Sequence, residues 1–105
     1  MKFSLPTKKS RLHRFAYPAT LRRDKPGFMA TFDDFGMGAT HGMTRAEALA
    51  QAADLLETIV SSEMADNADI PRPSPARGRP LVGLSPMICA KLESYLAAHG
   101  TKRLK

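Results

Sequence analysis

Apolar residues recur at three- and four-residue steps from Thr44 to Met64, the longest such run in the chain. Ala46, Leu49, Ala53, Leu56, Val60 and Met64 fall on one side of a 3.6-residue turn. Leu55 and Ile59 widen that side, while Glu47, Gln51, Asp54, Thr58 and Ser61 fall opposite. With neither Gly nor Pro inside it, the run predicts a surface helix with one buried stripe. Thr44 and Glu47, three residues apart, form a capping box at its start, which contributes about 1 kcal/mol. Alanines keep the stripe shallow, which suits close approach to a flat partner such as a sheet.

The period changes upstream. Phe15, Tyr17, Ala19 and Leu21 alternate with Ala16, Thr20 and Arg22, and Phe28, Ala30 and Phe32 alternate with Met29, Thr31 and Asp33. Two strands joined by the turn Arg23 to Gly27 predict a hairpin, with Pro18 either placing the first strand at an edge or pointing its missing donor outward. A weaker extended segment is expected at about Met37 to His41, among Gly36, Gly38 and Gly42. Downstream of the helix, Pro71, Pro73, Pro75 and Pro80 forbid helix and favour an extended path. Leu81 to Leu84 then reads as a short strand. Ser85 and Pro86 announce a second helix, with Ile88, Leu92, Tyr95 and Leu96 on one face and Gly100 as its stop.

The predicted order is β-β-β-α-linker-β-α, an α+β fold: a three-stranded antiparallel sheet packed by one long helix, a short fourth strand and a C-terminal helix. Along the chain this divides into a basic flexible arm at 1–13, a domain at 14–84 with a Pro-rich linker at 68–80, and a C-terminal helix with a basic tail at 85–105.

At 105 residues the chain suits one domain. Its single cysteine, Cys89, cannot form an internal disulfide, and His13, His41 and His99 are scattered too far apart to suggest a metal site. The first residues are basic without the apolar run of a secretory signal or a span, so a soluble cytoplasmic protein is expected. Charge is segregated: seven Lys/Arg and no acid in residues 1–23, two against nine Asp/Glu in 24–70, and seven against one in 71–105. An acidic middle between basic ends suggests two different partners.

The order of motifs carries a resemblance. Tyr17-Pro18-Ala19-Thr20-Leu21, then Gly27-Phe28 opening a strand that closes on Phe32-Asp33-Asp34-Phe35, then Thr40-His41-Gly42-Met43-Thr44-Arg45-Ala46-Glu47-Ala48-Leu49 resemble the N-terminal domain of HicB-type antitoxins. The Pro-rich stretch, Leu81 to Leu84 and Ala90-Lys91-Leu92-x-x-Tyr95 continue the match over about 14 to 99. The resemblance implies a partial RNase H-like fold, dimers or higher oligomers, and neutralisation of HicA, a small basic mRNA-cleaving toxin. Members with a helix-turn-helix continue into a recognition element, for which Lys105 leaves no room, and the arm at 1–13 is longer than the usual start.

Catalysis is not expected. A two-metal nuclease needs converging carboxylates, whereas Asp33 and Asp34, adjacent at a strand end, point to opposite faces. Asp54 and Glu57 read as polar-face residues, His41 as structural or exposed, and Cys89 as a packed thiol. Ser74 and Ser85 have no His at a catalytic spacing, and Gly36, Gly38 and Gly42 do not form a phosphate loop. No cofactor or metal is implied.

The functional expectation is therefore an antitoxin that binds and occludes a HicA-like toxin. Asp33, Asp34, Glu47, Asp54 and Glu57 would meet the basic partner, with Phe35 as apolar anchor. Ile88, Leu92, Tyr95 and Leu96, carried away by the linker, would pair with a second copy, directly or by exchange of the last strand and helix. Lys8, Lys9, Arg11, Arg14, Lys102 and Arg103 would contact only DNA phosphates, weakly and without base readout. The competing reading is a small nucleic-acid-binding transcriptional regulator that acts through those basic ends.

Overall fold

The computed structural model describes residues 15–99. The arm and tail, with Lys8, Lys9, Arg11, Arg14, Lys102 and Arg103, lie outside the described residues. The elements run β1 (Ala16–Pro18), β2 (Thr20–Arg23), β3 (Phe28–Thr31), β4 (Thr40–Gly42), α1 (Arg45–Ala65), β5 (Leu81–Gly83) and α2 (Pro86–His99). The fold is α+β, with the predicted three-stranded antiparallel sheet in the order β2-β3-β4 and a second, two-stranded sheet β1-β5.

The strand expected from Phe15 to Leu21 changes partner halfway. Up to Pro18 it pairs with β5, Tyr17 opposite Val82; from Thr20 it pairs with β3, Thr20 opposite Thr31. The Ala19 N–H between them donates to the Pro80 carbonyl at 2.9 Å. Donors alternate sides along an extended strand, so neighbouring Pro18 directs its missing donor away from β5. The proline thus sits at the partner change with no ladder bond lost, and it is buried, not at a solvent edge. β4 begins at Thr40, later than the expected Met37, because Gly36 and Gly38 take φ of 63° and 75° and hold the intervening loop out of the ladder.

α1 is built from the signals its sequence carries, with one shift. Thr44 Oγ1 accepts from the Glu47 N–H at 3.0 Å, and Glu47 reaches back to the Met43 N–H, one residue further than the predicted box. Its fully covered side is Ala48, Ala52, Leu56, Ile59 and Val60; Leu49, Ala53, Leu55 and Met64 are partly buried, and Ala46 is exposed. The stripe is rotated from the expected one by β4. A Cβ on Gly42 would lie 2.3 Å from the Ala48 nitrogen, so the end of β4 presses backbone to backbone on the first turn at Ala48. At the other end Asn67, at φ 57°, closes a Schellman motif: Ala68 N–H to the Glu63 carbonyl and Asn67 N–H to the Met64 carbonyl.

The C-terminal helix corrects the expectation of an open face. Leu92 and Leu96 are buried in the same cluster as Leu56, Val60, Tyr17 and Phe32, while Ile88 and Tyr95 pack partly against it. The Pro-rich segment returns α2 to the domain, so Leu92 and Leu96 are covered by this chain's own core. Burial of such side chains contributes about 1.5 to 3 kcal/mol each. The boundary after Leu84 is a step in chain order, with a single core on both sides of it. Among the described residues, no helix is long and apolar enough to cross a membrane.

Candidate functional site

The acidic residues singled out from the sequence fall into two groups. Asp33 and Asp34 lie in the turn after β3, where Phe35 and Gly36 donate to the Phe32 carbonyl at 3.1 Å. Asp34 accepts from the Ser74 N–H at 3.0 Å and from the Ser74 hydroxyl. Asp33 accepts from the Thr20 hydroxyl at 3.2 Å and pairs with Arg79 at 3.2 Å, while its side chain stays 62% exposed. Arg79 also donates to the carbonyls of Ala76 and Pro75. These two carboxylates therefore fasten the Pro-rich segment, and Asp34 is fully engaged in doing so.

Phe35 is half-buried, its ring centroid 4.9 Å from that of Tyr17 at a tilt of 52°, so it caps the core while keeping one part open. Beneath it the Tyr17 hydroxyl donates to the Pro71 carbonyl at 2.7 Å. Burial, with Asp34 nearby as a lesser cause, raises the Tyr17 phenol well above its ordinary pKa. Tyr95 does the same work at the other end, donating to the Ala68 carbonyl at 2.5 Å. No local signal marks the tethering roles of Ser74, Arg79 or the two tyrosine hydroxyls, because the partners they hold are 27 to 54 residues away.

On α1, Glu47 is held by its cap. Glu57, expected on the solvated side, is half-buried and accepts from the Ser85 N–H at 2.8 Å, at the start of α2. Asp54 is exposed. Together with Thr58, Ser61 and Ile88 these two carboxylates line an open groove of about 490 Å³ between the outer face of α1 and the start of α2. Met87, next to Ile88 in the chain, is 65% exposed. The groove offers negative charge, hydroxyls and an apolar wall, which suits a basic protein surface.

Cys89 is buried beside the Leu84 carbonyl; burial, then Glu93 and Glu57, raise its thiol pKa and keep it protonated. His41 is exposed, with Nε2 3.2 Å from the Asp24 carbonyl oxygen. Among the described residues no three of His, Cys, Asp or Glu are grouped to hold a metal ion.

The profile of the HicB-like antitoxin of bacterial toxin-antitoxin systems matches residues 16–93. The chain belongs to this family. Over 76 residues it is 37% identical to Antitoxin HicB 2 of Photorhabdus laumondii, covering 72% of this chain and 54% of that protein. The chain thus spans about half the length of the curated relative it matches. The family match runs from β1 into α2, so it takes in the Pro-rich segment, its tethering residues and the α1–α2 groove.

Proposed function

We propose that this antitoxin-family chain neutralises a basic, HicA-like mRNA-cleaving toxin by occupying its surface, with no chemistry of its own. The observation that supports this reading is the α1–α2 groove, where Asp54 and Glu57 stand beside the apolar Ile88. Residues 15–99 hold all ten Asp/Glu of the chain and only eight of its sixteen Lys/Arg, so the folded body is acidic although the whole chain is basic. Of the six toxin-facing residues expected from the sequence, Asp54, Glu57 and the exposed Asp33 keep carboxylate surface to offer. Glu47, with one oxygen on its cap, is exposed as well; Asp34 is committed to Ser74, and Phe35 is shared with Tyr17.

The proposal is tested on Asp54, whose carboxylate makes no hydrogen bond or ion pair among the described residues. Asp54→Lys should leave the melting temperature unchanged and slow association with the product of an adjacent small basic reading frame. The deficit should be largest at low salt and shrink as ionic strength rises, since exposed charges are screened beyond about 8 Å at physiological salt. Equal association rates at low salt, with equal protection of cells against the toxin, would place the contact elsewhere.

A further inference from the structure

The outer end of the β2–β3 hairpin carries the opposite charge from the rest of the body. Arg23 and Phe28 are register partners across the hairpin, and the Arg23 guanidinium lies 5.3 Å from the Phe28 ring centroid. Arg45, the first residue of α1, lies 5.9 Å from the same centroid, so the two guanidinium groups stand no more than about 11 Å apart. Arg22 and Lys25 flank them, and all four side chains are exposed. Asp24 shares the turn, yet none of the four makes an ion pair among the described residues.

Cation–π contacts with Phe28 help to place Arg23 and Arg45, but ion pairing within the fold does not account for four cations at one end. The body holds ten carboxylates for eight cations, so partners are plentiful, and Arg79 shows what a structural arginine looks like here, bound to Asp33 and two carbonyls. A cation at the first helical position also opposes the helix dipole, which favours negative charge there. Arg45 is therefore placed against the electrostatics of its own helix, and an external anion would relieve both that opposition and the repulsion between Arg45 and Arg23.

We propose that the Arg22, Arg23, Lys25 and Arg45 end of the hairpin binds the phosphate backbone of duplex DNA without reading its bases. Guanidinium groups are suited to phosphate oxygens. Single-stranded nucleic acid is ordinarily gripped by bases stacking on aromatic rings; here the Phe28 ring is already taken by two arginines, and the His41 imidazole is engaged at the Asp24 carbonyl. A duplex, which presents phosphates densely and hides its bases, fits what remains. This surface is separate from the α1–α2 groove and stands whether or not the groove meets a toxin.

The test is titration of a short labelled DNA duplex with the full chain between about 50 and about 200 mM salt. Arg23→Gln/Arg45→Gln should lower the slope of log affinity against log salt by about 2, since each phosphate contact contributes roughly 0.9. Arg23→Lys/Arg45→Lys, which keeps the charges, should keep the wild-type slope. Cations outside the described residues are present in every variant, so their share cancels. If the glutamine pair fails to fold, Lys25→Gln in the turn should still lower the slope by about 1. Wild-type slopes in the glutamine pair and in Lys25→Gln would overturn the assignment. So would tighter binding of single-stranded RNA governed by the same arginines, or a loss confined to an acidic protein partner.

Discussion

α1 and the Pro-rich segment from Asp66 to Pro80 lie against the same core and are held by different physics. The helix satisfies its own backbone, so what the rest of the molecule supplies is apolar cover for Ala48, Ala52, Leu56, Ile59 and Val60. The Pro-rich segment has one fully buried apolar residue, Ile70. Four of its nitrogens are prolines without donors, and its carbonyls find partners at a distance: Tyr95 for Ala68, Tyr17 for Pro71, the Ala19 N–H for Pro80. Asp34 and Asp33 close the remaining stretch through Ser74 and Arg79. A segment whose bonds to itself are confined to one short turn, Arg79 to the Ala76 and Pro75 carbonyls, is positioned mainly by individual polar contacts, whereas a helix is positioned by area.

The largest expected effect tests the helix side of this contrast. Leu56→Ala removes a fully buried side chain from the middle of α1 and should cost about 2 to 5 kcal/mol, read as a lower urea midpoint. The loss should be global, with α1 and the sheet unfolding together. An unchanged midpoint would mean that area does not hold the helix.

Those two kinds of restraint differ just as much in how they show in the sequence. A stripe repeats, so α1 was legible in its limits and its cap, and even the error over Ala46 is small. It came from β4 pressing at Gly42, a contact that no helical period encodes. The tethers do not repeat. Asp34 and Ser74 are 40 residues apart, and a surface carboxylate reads as solvated unless its partner is known. The same blindness sent α2 outward in the sequence reading: prolines announce an extended path without saying where it ends. Its destination is set by the apolar contacts of Leu92 and Leu96, with Tyr95 on Ala68 and Ser85 on Glu57. Within the candidate site, the acid-rich character was visible, and the separation of tethering from outward-facing acids was not.

Next in size is a tether. Asp34→Ala removes a charged acceptor from the Ser74 N–H and hydroxyl and should cost about 1.5 to 3 kcal/mol. Its signature differs from that of Leu56→Ala: the Ser74 amide should exchange with solvent markedly faster while α1 amides keep their relative protection. Loss of protection in α1 and the Ser74 region by the same factor would mean that the two regions open as one unit and would dissolve the contrast.

Tyr17→Phe deletes one hydroxyl at full retention of the ring, and should cost about 1 to 2 kcal/mol by leaving the Pro71 carbonyl without its donor. The wild-type contribution has a pH window. The folded phenol is raised above its unfolded value of about 10, so its stabilisation is complete below that pH and is lost as pH rises towards the folded value. Wild type should lose part of its advantage over Tyr17→Phe in strongly alkaline buffer, as read from paired urea melts. A difference that stays constant across that range would remove the phenol from the account.

The smallest effect separates two carboxylates that the sequence treats alike. Asp54 and Glu57 lie on the same side of α1, three residues apart, and line the same groove. Glu57 accepts the Ser85 N–H at the entrance to α2, a donor that α2 itself cannot satisfy, while the Asp54 carboxylate makes no hydrogen bond or ion pair among the described residues. Glu57→Ala should therefore cost about 1 kcal/mol, since the site is half-open and water partly replaces the lost acceptor. Asp54→Ala should change stability by less than about 0.5 kcal/mol. The measurement is a pair of urea midpoints at equal slope, together with exchange of the Ser85 amide, which should accelerate only in the Glu57 variant. Equal costs would erase the distinction between an acid that docks α2 and an acid left free on the groove, and with it the choice of Asp54 as the residue that tests partner binding without disturbing the fold.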